Sequence, residues 1–248
     1  MRVIATYSIK GGVGKTTSAA NLAYLSALHG ARTLLWDLDP QGAATFLFRV
    51  KPRVKGGGKA LVRGRTAVDG LIRGTDFDRL DLLPADLSYR HMDLHLDGAK
   101  RPTRRLARVL SPLTEEYDRI FLDCPPSLSL VSESVFEAAS VVLAPMIPAP
   151  LPARTLDQLS RFLRREAVRR PQLLAFFSMV DSRRKLHHEV VRELAGRRPE
   201  VLHTQIPAST VFEQMGVRRA PVETFAPRSA GAEAYRALWE EVLSLSAG

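Results

Sequence analysis

The chain has 248 residues, 45% of them hydrophobic and 25% charged, with a net charge of +10 and a single cysteine, Cys124. This length and balance belong to a folded globular chain able to bury a large core. One cysteine excludes an internal disulfide and any multi-cysteine metal or cluster site, and no apolar run approaches the roughly 18 residues that span a bilayer.

The first predicted element is a buried strand, Val3–Tyr7, running straight into a glycine-rich turn. It leaves no room for a leader peptide, so a cytoplasmic location is expected. Lys15–His29 has helical spacing, with Leu22, Leu25 and Leu28 on one stripe and Gly30 as a stop. Arg32–Asp37 is a second strand and Leu80–Leu83 a weaker third. A helix is predicted over Pro102–Leu113, then short apolar strands at Arg119–Asp123 and Val141–Ala144, as in parallel sheets buried on both faces. Pro145–Pro152 carries four prolines and reads as an extended loop. Helices around Arg154–Arg169, Leu186–Leu194 and Gly231–Leu245 alternate with strands at Leu173–Met179 and Val201–Ile206. The alternation predicts an α/β fold: a doubly wound, mostly parallel sheet with helices on both faces, as one domain over residues 1–248.

Val50–Arg73 breaks this rhythm. Lys51, Arg53, Lys55, Lys59, Arg63, Arg65 and Arg73 stand against one acid, Asp69, and Gly56, Gly57 and Gly58 are consecutive. Its first half, residues 50–66, reads as a flexible basic loop.

The chemistry concentrates in "SIKGGVGKTT", Ser8–Thr17. A strand, a glycine-rich turn and Lys15-Thr16 at a helix start form a phosphate cradle: inward N–H groups, the positive helix end, a lysine for the β/γ-phosphates and a hydroxyl for Mg²⁺. The strict pattern G-x-x-x-x-G-K-[ST] is not met, because Ile9 stands at its first glycine; Lys10 follows instead. "LLWDLDPQG" places Asp37 and Asp39 at a strand end, where residues i and i+2 share a face if the chain stays extended. "RIFLDCPPSLS" ends another strand on Asp123, the pattern of an acid that holds Mg²⁺ through water. Ligands bind at the carboxyl ends of such strands, so three carboxylates beside a phosphate loop indicate a nucleotide site.

"KGGVGKTT", "DLDPQGAAT" and "DCPPSLS" together resemble the ParA/MinD group of deviant Walker-A ATPases, and within it the small ParA/Soj partition ATPases. "MVDSRRKLHHEV" and "IPASTVFEQMGVRRAPVETFAPRSAGAEAYRALWEEV" extend the resemblance, which covers nearly all of the chain except Val50–Arg73. It implies ATP and Mg²⁺ as ligands, bound through Lys10, Gly11, Gly12, Val13, Gly14, Lys15, Thr16 and Thr17. Asp37 and Asp123, with Thr16, would serve the metal, and Asp39 would position or activate the attacking water. Pro125 and Pro126 would begin a second switch. The purine would sit between Met179–Asp181 and the loop after Pro207. The lysine at Lys10 would reach the phosphates of a partner's nucleotide, making a homodimer in the ATP state, with Gly12 at the closest approach of the two loops. Lys10, Lys15 and Asp39 are therefore the expected catalytic set.

The resemblance also implies non-specific binding of double-stranded DNA, a nucleoid-associated location and an adaptor or activator of ParB type. Arg183, Arg184, Arg197, Arg198, Arg218, Arg219 and Arg228 lie in the part that resembles the family's DNA-binding face. Few aromatics accompany them, which suits duplex backbone better than stacked single strands. The alternative is a MinD-like membrane ATPase, which carries a basic amphipathic C-terminal helix; "YRALWEEVLSLSAG" is acidic near its end and lacks a lysine-rich face. No stable membrane binding is expected.

Overall fold

The computed structural model describes residues 1–149, 152–166 and 169–245. Eight strands form one sheet: β1 (Arg2–Thr6), β2 (Thr33–Asp37), β3 (Arg73–Gly74), β4 (Leu80–Leu83), β5 (Arg119–Asp123), β6 (Val141–Met146), β7 (Gln172–Val180) and β8 (Val201–Pro207). Their spatial order is β3-β4-β2-β5-β1-β6-β7-β8. The pairings are parallel except for the two-residue edge strand β3. The expected α/β architecture is therefore present.

The helices are α1 (Lys15–Leu28), α2 (Ala43–Leu47), α3 (Gly57–Val62), α4 (Met92–Asp97), α5 (Arg105–Leu110), α6 (Leu130–Ala138), α7 (Pro152–Glu166), α8 (Lys185–Arg197), α9 (Val211–Arg218), α10 (Val222–Phe225) and α11 (Ala230–Leu245). Alternation along each strand divides the core between the two faces. Val3, Ala5, Leu34, Trp36, Ile120 and Leu122 pack on one side. Ile4, Leu35 and Phe121 pack on the other, with Leu22 and Leu25 of α1 and Leu238 and Trp239 of α11. Each Val, Leu, Ile or Phe among these contributes on the order of 1.5–3 kcal/mol by leaving water. Trp239 also donates from its indole nitrogen to His29 Nδ1 at 3.1 Å and packs 5.9 Å from the Phe121 ring.

Three expectations are corrected. The helix over Pro102–Leu113 is broken: a 3₁₀ turn at Pro102–Arg104 leads into α5, and a second at Ser111–Thr114 follows it. Pro112 explains the end of α5, since it has no N–H and its ring clashes with the carbonyl four residues back. The Pro145–Pro152 loop begins later than expected, because β6 continues through Pro145 to Met146. Pairing of β6 with β1 stops at Leu143, so proline's missing donor costs nothing on that side; residues 150–151 of this stretch, like residues 167–168 at the expected end of the Arg154–Arg169 helix, lie outside the described residues. Finally, the basic stretch 50–66 contains α3, with Val54, Leu61 and Val62 buried. Its two apolar anchors, the adjacent Leu61 and Val62, were masked by the surrounding charge.

Candidate nucleotide site at the carboxyl edge

Strand register places the chemistry. Thr6 of β1 and Asp37 of β2 both align with Asp123 of β5, so the residues that follow β1 emerge beside two carboxylates. Leu38 N–H donates to the Asp123 carbonyl at 2.9 Å and holds the ends of β2 and β5 together.

The turn after β1 is shaped by Gly12 (φ 71°) and Gly14 (φ 92°), backbone values that L-residues with a Cβ avoid. Gly14 is also the N-cap of α1, whose first residue is Lys15. Ser178 of β7 donates its hydroxyl to the Val13 carbonyl at 2.7 Å and clamps the turn from the far side. Gly11 and Gly12 are exposed, Val13 is buried, and Thr16 and Thr17 are half-buried.

The two lysines differ sharply. Lys15 is buried, and its ammonium donates to the Lys10 carbonyl at 3.2 Å. Burial lowers its pKa, opposed by the charges of Asp123, Cys124 and Asp39. Lys10 is exposed, and its ammonium has no partner among the described residues.

The carboxylates differ as well. Asp37 is buried, and Thr45 donates both its N–H and its hydroxyl to Asp37 Oδ2 at 2.7 Å. The Asp39 N–H donates to Asp37 Oδ1 at 3.2 Å. Burial still pushes the Asp37 carboxyl up to about 6. Asp39 lies beyond the end of β2, half-buried, and accepts from the Gln41 N–H at 2.9 Å. Asp39 therefore lies outside the strand that carries Asp37, at the opening of a turn, while its charge still acts on both Asp37 and Asp123. Asp123 is fully buried, and neither carboxylate oxygen has a hydrogen-bond partner among the described residues. Burial first, then the Asp37 charge, raises its pKa well above the ordinary value, against the nearby Thr16 hydroxyl and Lys15 ammonium. An orphaned buried carboxylate of this kind is costly unless a cation meets it. Asp123 and Thr16 thus fit a hard divalent cation, which takes oxygen donors and retains water.

Sequence reasoning assigned no role to Thr45 or Ser178. Thr45 stands inside the quoted "DLDPQGAAT", and its hydroxyl also accepts from the Ala85 N–H at 2.8 Å, tying β2, α2 and the end of β4 into one unit. Ser178 had no sequence signal, because its partner is 165 residues away.

Met179, Asp181 and Pro207 come together at the ends of β7 and β8. Val180 pairs with Pro207, and Ala208 N–H donates to the Val180 carbonyl at 2.9 Å. Met179 is exposed at φ 55°, while the Asp181 carboxylate is held by Arg183 at 3.0 Å.

The seven arginines do not form one cluster. Arg183 is paired to Asp181, and Arg184 lies 3.4 Å from His187 Nε2, just beyond β7. Arg197 pairs with Glu193 at the other end of α8, and Arg198 binds both Asp157 at 2.7 Å and Glu200 at 3.0 Å. Arg218 packs over the Phe225 ring, and Arg219 sits 4.5 Å over the Phe46 ring while donating to the Phe46 carbonyl at 2.8 Å. Arg228 is exposed and makes no side-chain contact of this kind among the described residues.

A parallel sheet whose first strand feeds a glycine turn, a buried lysine and a helix N-terminus, with acids at the ends of the adjacent strand β5 and of β2 beyond it, defines a P-loop NTPase. Residues 1–173 match the protein family described as an AAA domain. Over nearly its whole length the chain is similar to sporulation initiation inhibitor protein Soj of Bacillus subtilis (strain 168), 32% identical with 97% of this chain and 98% of that protein covered. It is likewise similar to chromosome partitioning protein ParA of Myxococcus xanthus (strain DK1622), 33% identical with 98% and 88% covered. Among solved structures, cobyrinic acid a,c-diamide synthase from Mycobacterium smegmatis with bound ADP and magnesium superposes with a TM-score of 0.83, at 28% identity, covering 98% of this chain and 94% of that one. The chain belongs to the ParA/Soj family of partition and positioning ATPases.

Proposed function

We propose that this protein hydrolyses ATP with Mg²⁺, that ATP closes two copies face to face, and that the closed dimer binds duplex DNA without sequence preference. The observation that carries the dimer is the contrast between the two lysines. Lys15 is committed to its own loop, whereas Lys10 presents an exposed cation with no partner among the described residues of its own protomer. A cation supplied across an interface turns the repulsion of facing triphosphates into attraction and stabilises charge during phosphoryl transfer. Gly12 supports the same reading: a Cβ built there meets nothing within 4 Å in the protomer, so the space it faces is free for a second chain.

Lys15 and the N–H groups of Gly11–Thr17 hold the phosphates, Thr16 and Asp123 hold the metal, and Asp39 orients the attacking water. Asp37 acts through its neighbours, fixing the Asp39 backbone and the start of α2. Magnesium, when bound, neutralises phosphate charge and compensates the buried carboxylate. The base lies against Met179 and Pro207, where the ends of β7 and β8 meet.

For DNA, Arg184, Arg218 and Arg228 are the strongest of the expected residues, because all three are exposed and none is held by a carboxylate among the described residues. Arg198 is committed to two acids. The apolar side of α11 (Tyr235, Leu238, Trp239 and Val242) is buried in the core, which disfavours its use as a membrane anchor. A ParB-type adaptor, a nucleoid location and a cargo of plasmid, chromosome or protein assembly accompany this reading. The fold's ATP machinery is shared by proteins of different activity, so it does not select among them.

Sedimentation of the wild type with ATP or ADP tests the dimer, and the Lys10→Ala and Gly12→Val variants show what closes it. ATP should shift the wild type and the non-hydrolysing Asp39→Ala protein to dimer, and Gly12→Val should remain monomeric. A wild type that hydrolyses ATP at full rate as a monomer overturns the reading. DNA binding by the Asp39→Ala dimer should lose slope in log K against log salt by about 0.9 for each phosphate contact removed with Arg218→Gln and Arg228→Gln.

A further inference from the structure

A cavity of about 800 Å³ opens at the β3–β4 edge of the sheet, away from the phosphate loop. Five cations line it, Arg49, Lys51, Arg53, Lys55 and Arg73, against one acid, Asp86. None of these residues takes part in the nucleotide site.

The cations divide into walls and free groups. Arg49 is tied to Asp76 at 2.8 Å and to the Arg218 carbonyl at 2.9 Å. Arg73 donates to the carbonyls of Gly70 and Ile72. The side chains of Lys51, Arg53 and Lys55 make no hydrogen bond or ion pair among the described residues. The single acid does not offset them by direct pairing, because it is consumed internally. Asp86 Oδ2 accepts from the Val54 N–H at 2.8 Å and Oδ1 from the Ser88 N–H at 2.9 Å. Although burial raises its carboxyl, these hydrogen bonds and the Arg53 charge bring it below the ordinary value, so it stays ionised and occupied.

The segment bearing these charges is fastened at Val54 and again just beyond Lys55. Val54 is buried, and the Gly58 N–H donates to Ser88 Oγ at 2.8 Å. Gly56 and Gly57 have φ of 81° and 65°, and a Cβ on Gly57 would stand 2.6 Å from Ser88 Oγ. Lys51, Arg53 and Lys55, at alternate positions ahead of this turn, all line one mouth. Three unpaired like charges held around a concavity repel one another, and the repulsion is relieved when an anion enters.

We propose that this cavity binds a small polyphosphorylated ligand, with its phosphates held by Lys51, Arg53 and Lys55. Its volume falls in the range of small-molecule sites, about 300–1,000 Å³. Two phosphates carrying about −1.5 to −2 each match three free cations. Arg53 supplies a planar fork for phosphate oxygens and the lysines supply point charges. A duplex is a stiff convex rod that lies along a stripe of cations, whereas these cations converge on a hollow.

The test is calorimetric titration of the full-length protein with inorganic tripolyphosphate, with the phosphate loop first saturated by ADP and Mg²⁺ kept in excess. One saturable site is expected. Combining Lys51→Gln, Arg53→Gln and Lys55→Gln should weaken it by at least about tenfold, as loss of charge-assisted contacts predicts, while ADP affinity and the melting curve stay unchanged. Absence of saturable binding, or binding that the triple variant leaves intact, overturns the proposal. So does a triple variant that loses affinity for duplex DNA in a protein that never bound tripolyphosphate, which would assign the cavity to the DNA surface.

Discussion

Two regions of this molecule carry dense charge and treat it in opposite ways. At the carboxyl edge of β1, β2 and β5, Lys15, Asp37 and Asp123 are buried together, and each shifts the titration of a neighbour. In the stretch Lys51–Lys55 the charges have one sign and are exposed, and the Arg53 charge helps to hold the Asp86 carboxyl below its ordinary value. Burial makes a charge expensive and therefore specific: Asp123 calls for a cation because water cannot reach it. Exposure makes a charge cheap and therefore tolerant: Lys51, Arg53 and Lys55 attract any anion that approaches, and only the shape of the cavity selects among them.

Substitutions can break this contrast or sharpen it. The largest effect is expected at Lys15→Ala, which removes the buried cation from the phosphate cradle; nucleotide affinity and turnover should fall by on the order of 100- to 1,000-fold, read by fluorescent-nucleotide binding and phosphate release. If Lys51→Ala costs as much, the distinction between buried and exposed charge fails.

Next comes pH. The Asp37 carboxyl stands at about 6 in the folded chain against its ordinary 3.8. Between those values the folded state keeps a proton that the unfolded state has released, so stability falls as pH rises from about 4 to about 6 and stays low above. A difference of that size corresponds to on the order of 3 kcal/mol. Urea melts of the nucleotide-free protein across this window should show the decline. Asp123, raised in the same direction by burial, should deepen it, and Asp123→Asn should raise the melting temperature at pH 7 while abolishing Mg²⁺-dependent hydrolysis.

A smaller effect is expected at Thr45→Val, which keeps the shape but removes the hydroxyl bonded to Asp37 and Ala85. Leaving those groups unpaired should cost about 1–3 kcal/mol in denaturant melts. The smallest should follow Arg197→Gln, which breaks an exposed pair with Glu193; surface pairs of this spacing are worth under about 0.5 kcal/mol, so the melt should barely move.

Most of the strand set and the phosphate loop were legible in the sequence, because buried parallel strands are short apolar runs and the turn demands glycine at fixed positions. Helix α6 was not, although Ser129 and Ser132 form its capping box. The serine–leucine alternation of residues 127–130 imitates a strand period and hides the start. Helix α3 was hidden by the lysines and arginines around it. The arginines expected at a DNA face were the least legible part. The sequence counts a guanidinium but does not show its partner, and Arg183, Arg197 and Arg198 are each already held by a carboxylate.

The order of residues by itself determined the α/β class, the glycine turn with its two lysines and the acids at the strand ends, since all of these depend on neighbours within a few positions. Only the folded chain decided that Asp123 stands orphaned, that Asp37 is spent on Thr45 and the Asp39 backbone, that Ser178 clamps the turn, and that five cations surround one cavity. Those outcomes depend on strand register and on contacts across tens to hundreds of residues, and on which groups are cut off from water once the layers close.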